Sequence, residues 1–140
     1  MVRKDLGWMY LRIFLRVALG TFLVFAGISH FRSPQSFMAQ VPPFFPAKEF
    51  LIQFSGVIEI ALGSSLVLLG KYQAKAGMIA AAFFIIIFPG NISQFVTGTS
   101  AFGLDTDLAR AIRLLFQPVL VLWALWSTNA WAELPWNKRK

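Results

Sequence analysis

Apolar residues dominate four stretches of the chain, which are separated by one connection of about four residues and two longer ones of about twenty. The stretches cover about residues 10–29, 50–69, 74–92 and 112–131. Each approximates the roughly 17–25 residues with which an α-helix crosses the hydrocarbon core of a bilayer. The pattern predicts an all-α integral membrane protein, in which residues 1–140 form one antiparallel four-helix bundle with a short outer-loop helix between helices 1 and 2.

The predicted outer-loop helix lies between the first two apolar stretches. Ser33 followed by Pro34 is typical of an N-cap and a first helical position, and Pro42 and Pro43 are expected to end the helix. Its apolar face would carry Phe37, Met38 and Val41. Two interpretations are open at this point: the helix covers the mouth of the bundle, or it only anchors the loop at the membrane interface.

The composition supports a membrane protein and excludes several kinds of chemistry. The chain is 57% hydrophobic and 14% charged, whereas soluble domains are about 45–50% apolar and about 25% charged. It has no cysteine and one histidine, which excludes disulfides, thiol redox motifs, cysteine nucleophiles and multi-histidine metal or haem sites. We therefore predict no metal and no intrinsic cofactor.

Basic residues flank the apolar stretches and are unevenly divided between the two sides of the predicted bundle. The formal net charge is +7, from 13 Lys and Arg against 6 Asp and Glu. Because these charges lie near span ends, the lipid bilayer rather than nucleic acid is the predicted partner. One side carries Arg3, Lys4, Arg12, Arg16, Lys71, Lys75, Lys138, Arg139 and Lys140, and the other carries only Arg32, Lys48, Arg110 and Arg113. The positive-inside rule then places both termini in the cytoplasm.

Glu59 stands near the middle of the second apolar stretch. A carboxylate at that depth costs roughly 2.5–3.5 kcal/mol on insertion scales, so it normally faces the bundle interior and has a partner, a proton or a ligand. Helical spacing places further polar residues on definable faces of the other spans. Of these, His30, Asn91, Arg113 and Gln117 belong to the outer half of the bundle, and Arg16 lies in the inner third. The candidates for ligand binding are Glu59, His30, Asn91, Arg113, Gln117, Ser55 and Arg16. We predict an outward-opening polar pocket with Glu59 at its floor, and we assign no catalytic residue.

Glycines and prolines are expected to shape the bundle around this pocket. Gly20 and Gly27 share a stripe of the first span, and Gly63 lies on the acidic face of the second, so close helix contact is expected there. Pro89 and Pro118 each remove one backbone donor from a helix, which favours a kink and frees a carbonyl beside the polar residues. Bent helices would leave a gap between them.

Simpler interpretations of the same residues are also open. Glu59 could form a structural ion pair with Arg113 from the outer side or with Arg16 from the inner side. It could instead carry a proton, because burial disfavours the charged form of a carboxyl group. His30 could lie at the membrane interface, and Arg16 could extend to the lipid headgroups. The amides of the third and fourth spans could serve only as hydrogen bonds between helices.

The polar, glycine and proline residues follow one another in a particular order. They are Arg16, Gly20, Gly27, His30 and Phe31, then Pro42, Pro43 and Pro46, then Ser55, Gly56, Val57, Ile58, Glu59, Ile60 and Gly63, then Pro89, Gly90 and Asn91, and finally Arg113 and Gln117. Over nearly the whole chain this order resembles the DoxX family of small four-helix membrane proteins. The resemblance implies the bacterial inner (plasma) membrane. It also implies a link to thiosulfate oxidation coupled to quinone reduction in one branch, and to oxidative-stress or thiol-protection complexes in others.

Three functions are compatible with this sequence. The first is binding of a small amphipathic ligand such as a quinone or a lipid, with phenylalanines around its tail. The second, suggested by the resemblance, is a membrane subunit of a quinone-linked oxidoreductase in which Glu59 or His30 carries protons, so catalysis is left open. The third is a non-catalytic assembly or stabilising subunit, which acts with a membrane or periplasmic partner protein or with a second copy of the chain.

Overall fold

The structure is a computed structural model, and it describes residues 2–38, 41, 43–98 and 106–135. Its helices are α1 (Val2–Arg32), α2 (Pro34–Phe37), α3 (Lys48–Leu68), α4 (Gln73–Ile86), α5 (Phe88–Thr97), α6 (Asp107–Ser127) and α7 (Ala130–Glu133), with a 3-10 turn at Gly70–Tyr72. Within these residues, four segments are long and apolar enough to cross a membrane: Asp5–Arg32, Lys48–Leu68, Gly70–Thr97 and Asp107–Ser127. The predicted all-α four-helix bundle is confirmed.

The four spans pack as a ring in chain order. α1 packs mainly on α3, and α4 mainly on α6, while contacts between α3 and α4 and between α1 and α6 close the ring. The rings of Trp8 and Trp126 meet edge to face with their centroids 5.9 Å apart, so the start of the first span and the end of the last lie on one side of the bundle. We call this side the terminal end, and the opposite side, which carries residues 33–38, 41 and 43–47, the loop end.

Glycines bring α1 and α3 into close contact, as their common stripe predicted. A Cβ added to Gly27 would lie 2.7 Å from the carbonyl oxygen of Gly56, and one added to Gly20 would lie 2.7 Å from that of Gly63. Side-chain carbons do not approach a backbone oxygen so closely, so only glycine allows this separation of the two backbones. Small residues at membrane helix interfaces permit such close packing, and these two contacts fix the register of α1 against α3.

The third span is broken where Pro89 was predicted to kink it. α4 ends just before Ile87 and α5 begins just after it. Pro89 has no N–H to donate to the carbonyl of Ile85, and the N–H of Gly90 donates to the carbonyl of Ile87 at 3.1 Å. The span is longer than the predicted residues 74–92, because the 3-10 turn extends it at one end and α5 at the other.

The fourth span starts and ends earlier than the predicted residues 112–131. The hydroxyl of Thr106 accepts a hydrogen bond from the backbone N–H of Ala109 at 3.1 Å and caps the start of α6. The helix then continues through Pro118. Asn129 adopts a left-handed conformation with φ 59°, which ends this run and turns the chain into α7. Ser127, Thr128 and Asn129 form a polar run that is typical of a turn, and the predicted span extended past it to Trp131.

The outer-loop helix is shorter than its sequence predicts. α2 is a single turn with Pro34 at its first position, as expected. Ser33 makes no side-chain capping hydrogen bond, so the predicted N-cap interaction is wrong; its backbone, at φ −139° and ψ 62°, does not have the usual capping conformation. The N–H of Val41 donates to the carbonyl of Met38 at 3.1 Å in a turn beyond the helix. Pro42, which was expected to end the helix, lies outside the described residues.

Large apolar side chains cover the outside of the bundle. More than half of the surface of Phe25, Phe54, Ile79 and Leu115 is exposed, and each belongs to a different span. An exposed apolar surface of this extent is typical of contact with lipid tails. Inside, leucine, alanine and phenylalanine side chains from all four spans form the core, among them Leu19, Leu66, Ala80, Phe84, Leu120 and Ala124. We therefore describe the chain as a multi-pass membrane protein.

Candidate functional site

A cavity of about 670 Å³ lies at the loop end of the bundle. All four spans and the outer loop contribute side chains to its wall. Phenylalanines provide much of the apolar surface: Phe22, Phe25, Phe37, Phe45, Phe83 and Phe84. The polar side chains on the wall are Ser29, His30, Ser55, Glu59 and Arg113. The cavity is therefore apolar over most of its wall and carries its ionisable groups as one small cluster.

Glu59 meets His30 across the interface between α3 and α1. Nδ1 of His30 lies 3.2 Å from Oε2 of Glu59 and 2.8 Å from the carbonyl oxygen of Ala26. A carbonyl oxygen only accepts, so Nδ1 carries the hydrogen and donates it to Ala26. Oε2 of Glu59 is buried and accepts no hydrogen bond from the described residues, although the imidazole is close. Within the described residues, no group of three or more potential ligands could hold a metal ion.

Arg113 enters the cavity from α6 and is held by a neighbour on its own helix. Its Nη1 donates to Oε1 of Gln117 at 2.9 Å, because residues four apart lie on one face of a helix. Arg113 and Glu59 line the same cavity, but these two side chains form no direct ion pair; the basic side chain closest to Glu59 is that of His30. Of the two predicted counter-ions of Glu59, Arg113 is the one at the same cavity.

Gln117 also compensates for the break in the third span. Its Nε2 donates to the carbonyl oxygen of Phe84 at 2.7 Å, and the side chain is buried. In an unbroken helix this carbonyl would accept from the residue four positions later, but α4 ends at Ile86. A freed carbonyl inside a membrane needs another donor. One amide therefore satisfies the broken helix and orients Arg113 at the same time.

The outer loop covers the polar side of the cavity. The ring of Phe37 stacks on the imidazole of His30, with centroids 3.7 Å apart and 22° between the ring planes. Val41 and Phe45 of the same loop also line the cavity. Of the two interpretations of this loop, a cover over the mouth of the bundle agrees with these contacts. His30 is correspondingly buried, and does not face the membrane interface.

The predicted binding residues occupy different parts of the bundle. Four of them line the cavity: His30, Ser55, Glu59 and Arg113. Gln117 lies behind Arg113 and does not line it. Asn91 is buried near the break of the third span, where its Oδ1 has no hydrogen bond, and it also lies outside the lining.

Arg16 lies outside this site. The structure does not show the ion pair between Arg16 and Glu59 that was one of the two predicted alternatives. Its Nη1 lies 3.2 Å from the position that a Cβ of Gly70 would occupy. Gly70 follows Glu59 by eleven residues, which is roughly 16 Å along a helix axis. The guanidinium group of Arg16 therefore lies at the terminal end of the bundle, beside Gly70 and away from Glu59.

The individual phenylalanines of the cavity were not identified from the sequence. The pattern that could have identified two of them is in α1, where Phe22, Phe25 and Ser29 recur at helical spacing on one face. All three line the cavity. Sequence alone could not show which phenylalanines of the third span line the cavity, because residues 76–88 are apolar on every side of the helix.

These features define a multi-pass, four-helix membrane protein whose loop end encloses a largely apolar cavity with three ionisable side chains. The chain belongs to the family described as a domain of unknown function (DUF8561), which matches residues 19–128. The matched region includes Glu59, His30 and Arg113. No curated protein and no solved structure matches the chain.

Proposed function

We propose that the cavity binds a small amphipathic molecule, and that a membrane quinone is the most suitable ligand class. The polar head would lie against Glu59, His30 and Arg113, and the apolar body against the phenylalanines. The observation that carries the proposal is a cavity of about 670 Å³ that is apolar except for one polar cluster. Small-molecule sites typically enclose about 300–1,000 Å³, with a few polar groups that fix the orientation of the ligand.

The polar cluster can both accept and donate hydrogen bonds. Oε2 of Glu59 is buried and makes no hydrogen bond, so it can accept from a ligand hydroxyl. Arg113 uses Nη1 to bond Gln117, and its other N–H groups can donate to a ligand carbonyl. A quinone supplies carbonyl acceptors and its reduced form supplies hydroxyl donors.

The cavity is accessible from the membrane-facing surface. Phe25 and Ile86 line it and are also 68% and 73% exposed. Exposed apolar side chains at the rim would contact lipid tails in a bilayer. A ligand with a long apolar tail could therefore enter sideways from the membrane, with its head inside and its tail extending past this rim.

We expect Glu59→Gln to lower the affinity for a short-chain quinone analogue about tenfold, because an amide oxygen is a weaker acceptor for a ligand hydroxyl than a carboxylate oxygen, and the amide nitrogen cannot accept at all. Binding is measured as the thermal stabilisation of the detergent-purified protein over a titration of the analogue. Glu49→Gln is the matched control, since Glu49 lies exposed in the first turn of the same helix and should leave binding unchanged. Equal binding by the wild type and Glu59→Gln would refute the proposed site.

A membrane subunit of a quinone-linked oxidoreductase is the second candidate. The 3.2 Å contact between His30 and Glu59 places two proton-carrying groups at one point on the cavity wall. The resemblance to the DoxX family, which stays a prediction, points the same way. The electrons would come from the sulfur donor and would be passed on by a partner protein, because the chain has no cysteine for thiol chemistry of its own. Quinone reduction with thiosulfate as donor, in membranes that contain the protein and its partner, would favour this function.

We further propose that the protein lies in the bacterial inner membrane with both termini in the cytoplasm, as the distribution of Lys and Arg predicts. The lack of native cysteine allows a clean test with single cysteines. A membrane-impermeant maleimide should label Ser33→Cys in spheroplasts, and should label Glu133→Cys only after the membrane is opened. Labelling of Glu133→Cys in closed spheroplasts would reverse the proposed orientation.

A further inference from the structure

A second cavity, of about 760 Å³, lies at the terminal end of the bundle. It is bounded by the first half of α1, the 3-10 turn and the end of α6. Its charged and polar lining residues are Asp5, Arg12, Arg16, Gln73, Ser127 and Asn129. It shares no lining residue with the cavity at the loop end, so it is a separate site.

Several donors in this cavity are buried and have no hydrogen-bond partner among the described residues. Arg16 is only 9% exposed, and neither its Nε nor its Nη1 makes a hydrogen bond within that part of the chain. Nε of Arg12 and Oγ of Ser127 are buried without a partner as well. An isolated buried charge is costly, and here two guanidinium groups lie beside the same space. Such a group of donors is suited to an anion.

Neighbouring residues hold the two guanidinium groups in place. Gly70 has no side chain where Nη1 of Arg16 lies, so Arg16 can pass across the turn backbone. Cζ of Arg12 lies 5.0 Å from the ring centroid of Trp126, at the distance of a cation–π contact. Trp126 is in turn packed edge to face against Trp8. The donors are therefore oriented before any ligand arrives.

We infer that this cavity binds the phosphate group of an anionic phospholipid. Guanidinium groups match phosphate oxygens in charge and in paired hydrogen-bond geometry. Asp5 forms no ion pair with Arg12 or Arg16, and one carboxylate against two guanidinium groups leaves a net positive charge. A phosphodiester with a neutral alcohol headgroup therefore fits better than one that carries an amine.

A lipid accounts for the surroundings better than free phosphate does. Met9 and Ile13 also line the cavity, one helical turn apart, and are 45% and 41% exposed. They provide an apolar surface beside the arginines on which an acyl chain can lie. Basic pockets between spans on the cytoplasmic side are suited to anionic lipid headgroups, and the proposed orientation places this cavity on that side.

Native mass spectrometry of the detergent-solubilised protein can test the inference. The wild type should bind phosphatidylglycerol about tenfold more tightly than phosphatidylethanolamine, and Arg16→Gln should remove about tenfold in affinity for phosphatidylglycerol. Arg3→Gln is the matched control, because Arg3 is an exposed arginine of the same helix outside the cavity. It should change the affinity by less than about twofold.

Three results would overturn the inference. They are equal losses in Arg3→Gln and Arg16→Gln, equal binding of the two lipids by the wild type, and complete displacement of the lipid by excess inorganic phosphate. The last result would assign the site to free phosphate. If Arg16→Gln does not fold, Arg12→Gln replaces it, because Arg12 is only partly buried. Arg12→Gln should bind phosphatidylglycerol several-fold more weakly than the wild type, and an unchanged affinity would overturn the inference.

Discussion

Gly63→Ala is expected to destabilise the bundle by about 2–3 kcal/mol, a large effect for one methyl group. A Cβ at this position would overlap the carbonyl oxygen of Gly20 and would lie 2.8 Å from the backbone nitrogen of Val24. Both contacts are with backbone, which cannot rotate away as a side chain can. Relief requires α1 and α3 to separate, which loosens the contact that fixes their register. The midpoint of SDS-induced unfolding in mixed micelles measures the change.

The control for Gly63→Ala is Gly7→Ala, which adds the same methyl group to a helix where nothing lies within 4 Å of the new atom. Alanine is favoured over glycine in helices by about 1 kcal/mol, so Gly7→Ala should be neutral or slightly stabilising. Gly20→Ala should behave like Gly63→Ala. The variant that carries both substitutions should lose less stability than the two single variants lose together, because one separation of the helices relieves both overlaps. Equal stability of Gly63→Ala and Gly7→Ala would contradict close packing at this interface.

The glycine contacts and the cavity are related features of one interface. Gly56 faces Gly27 in the same close contact, and a Cβ at position 56 would lie 2.9 Å from Cβ of His30. The backbones therefore approach one another next to the point where His30 meets Glu59. The 3.2 Å approach of these two side chains depends on helices that are held closely together.

The sequence could predict the features that depend on one helix at a time. Hydropathy located the spans, and the stripe of Gly20 and Gly27 indicated the face along which α1 packs closely. Pro89 removes one helical hydrogen bond wherever the span lies, so a kink near it was also predictable, although α6 continues through Pro118, which removes the same kind of bond. These features follow from local geometry, and the structure confirms them.

Features that depend on how helices rotate against one another could not be predicted. The side chains of Arg16 and Arg113 are both long enough to reach towards Glu59. Only the packing of the helices shows that Arg16 points to the terminal end. The bond from Gln117 to Phe84 joins residues 33 positions apart. Trp123 similarly donates through Nε1 to the carbonyl of Leu15 at 2.9 Å, 108 positions away. A single sequence contains no signal that pairs such residues.

The expected effect of Gln117→Leu is a loss of about 3 kcal/mol in stability, together with weaker quinone binding. Leucine fills a similar volume but cannot donate to the carbonyl of Phe84, which is then left without a donor at the break of the third span. An unsatisfied buried acceptor costs about 1–3 kcal/mol, and the lost bond from Arg113 adds to this cost. Free of that bond, Arg113 is no longer held towards the cavity, so the quinone analogue should bind several-fold more weakly.

Gln53→Leu tests whether these losses are specific to the position. Gln53 belongs to α3 and is exposed, so the same substitution there replaces a lipid-facing amide with an apolar side chain and should be neutral or stabilising. SDS unfolding and the quinone titration are run on both variants. If Gln117→Leu keeps the stability of Gln53→Leu, the amide does not support the broken helix. If it loses stability but binds the analogue like the wild type, Gln117 does not orient Arg113 for the ligand, because the packing of α6 alone is then sufficient.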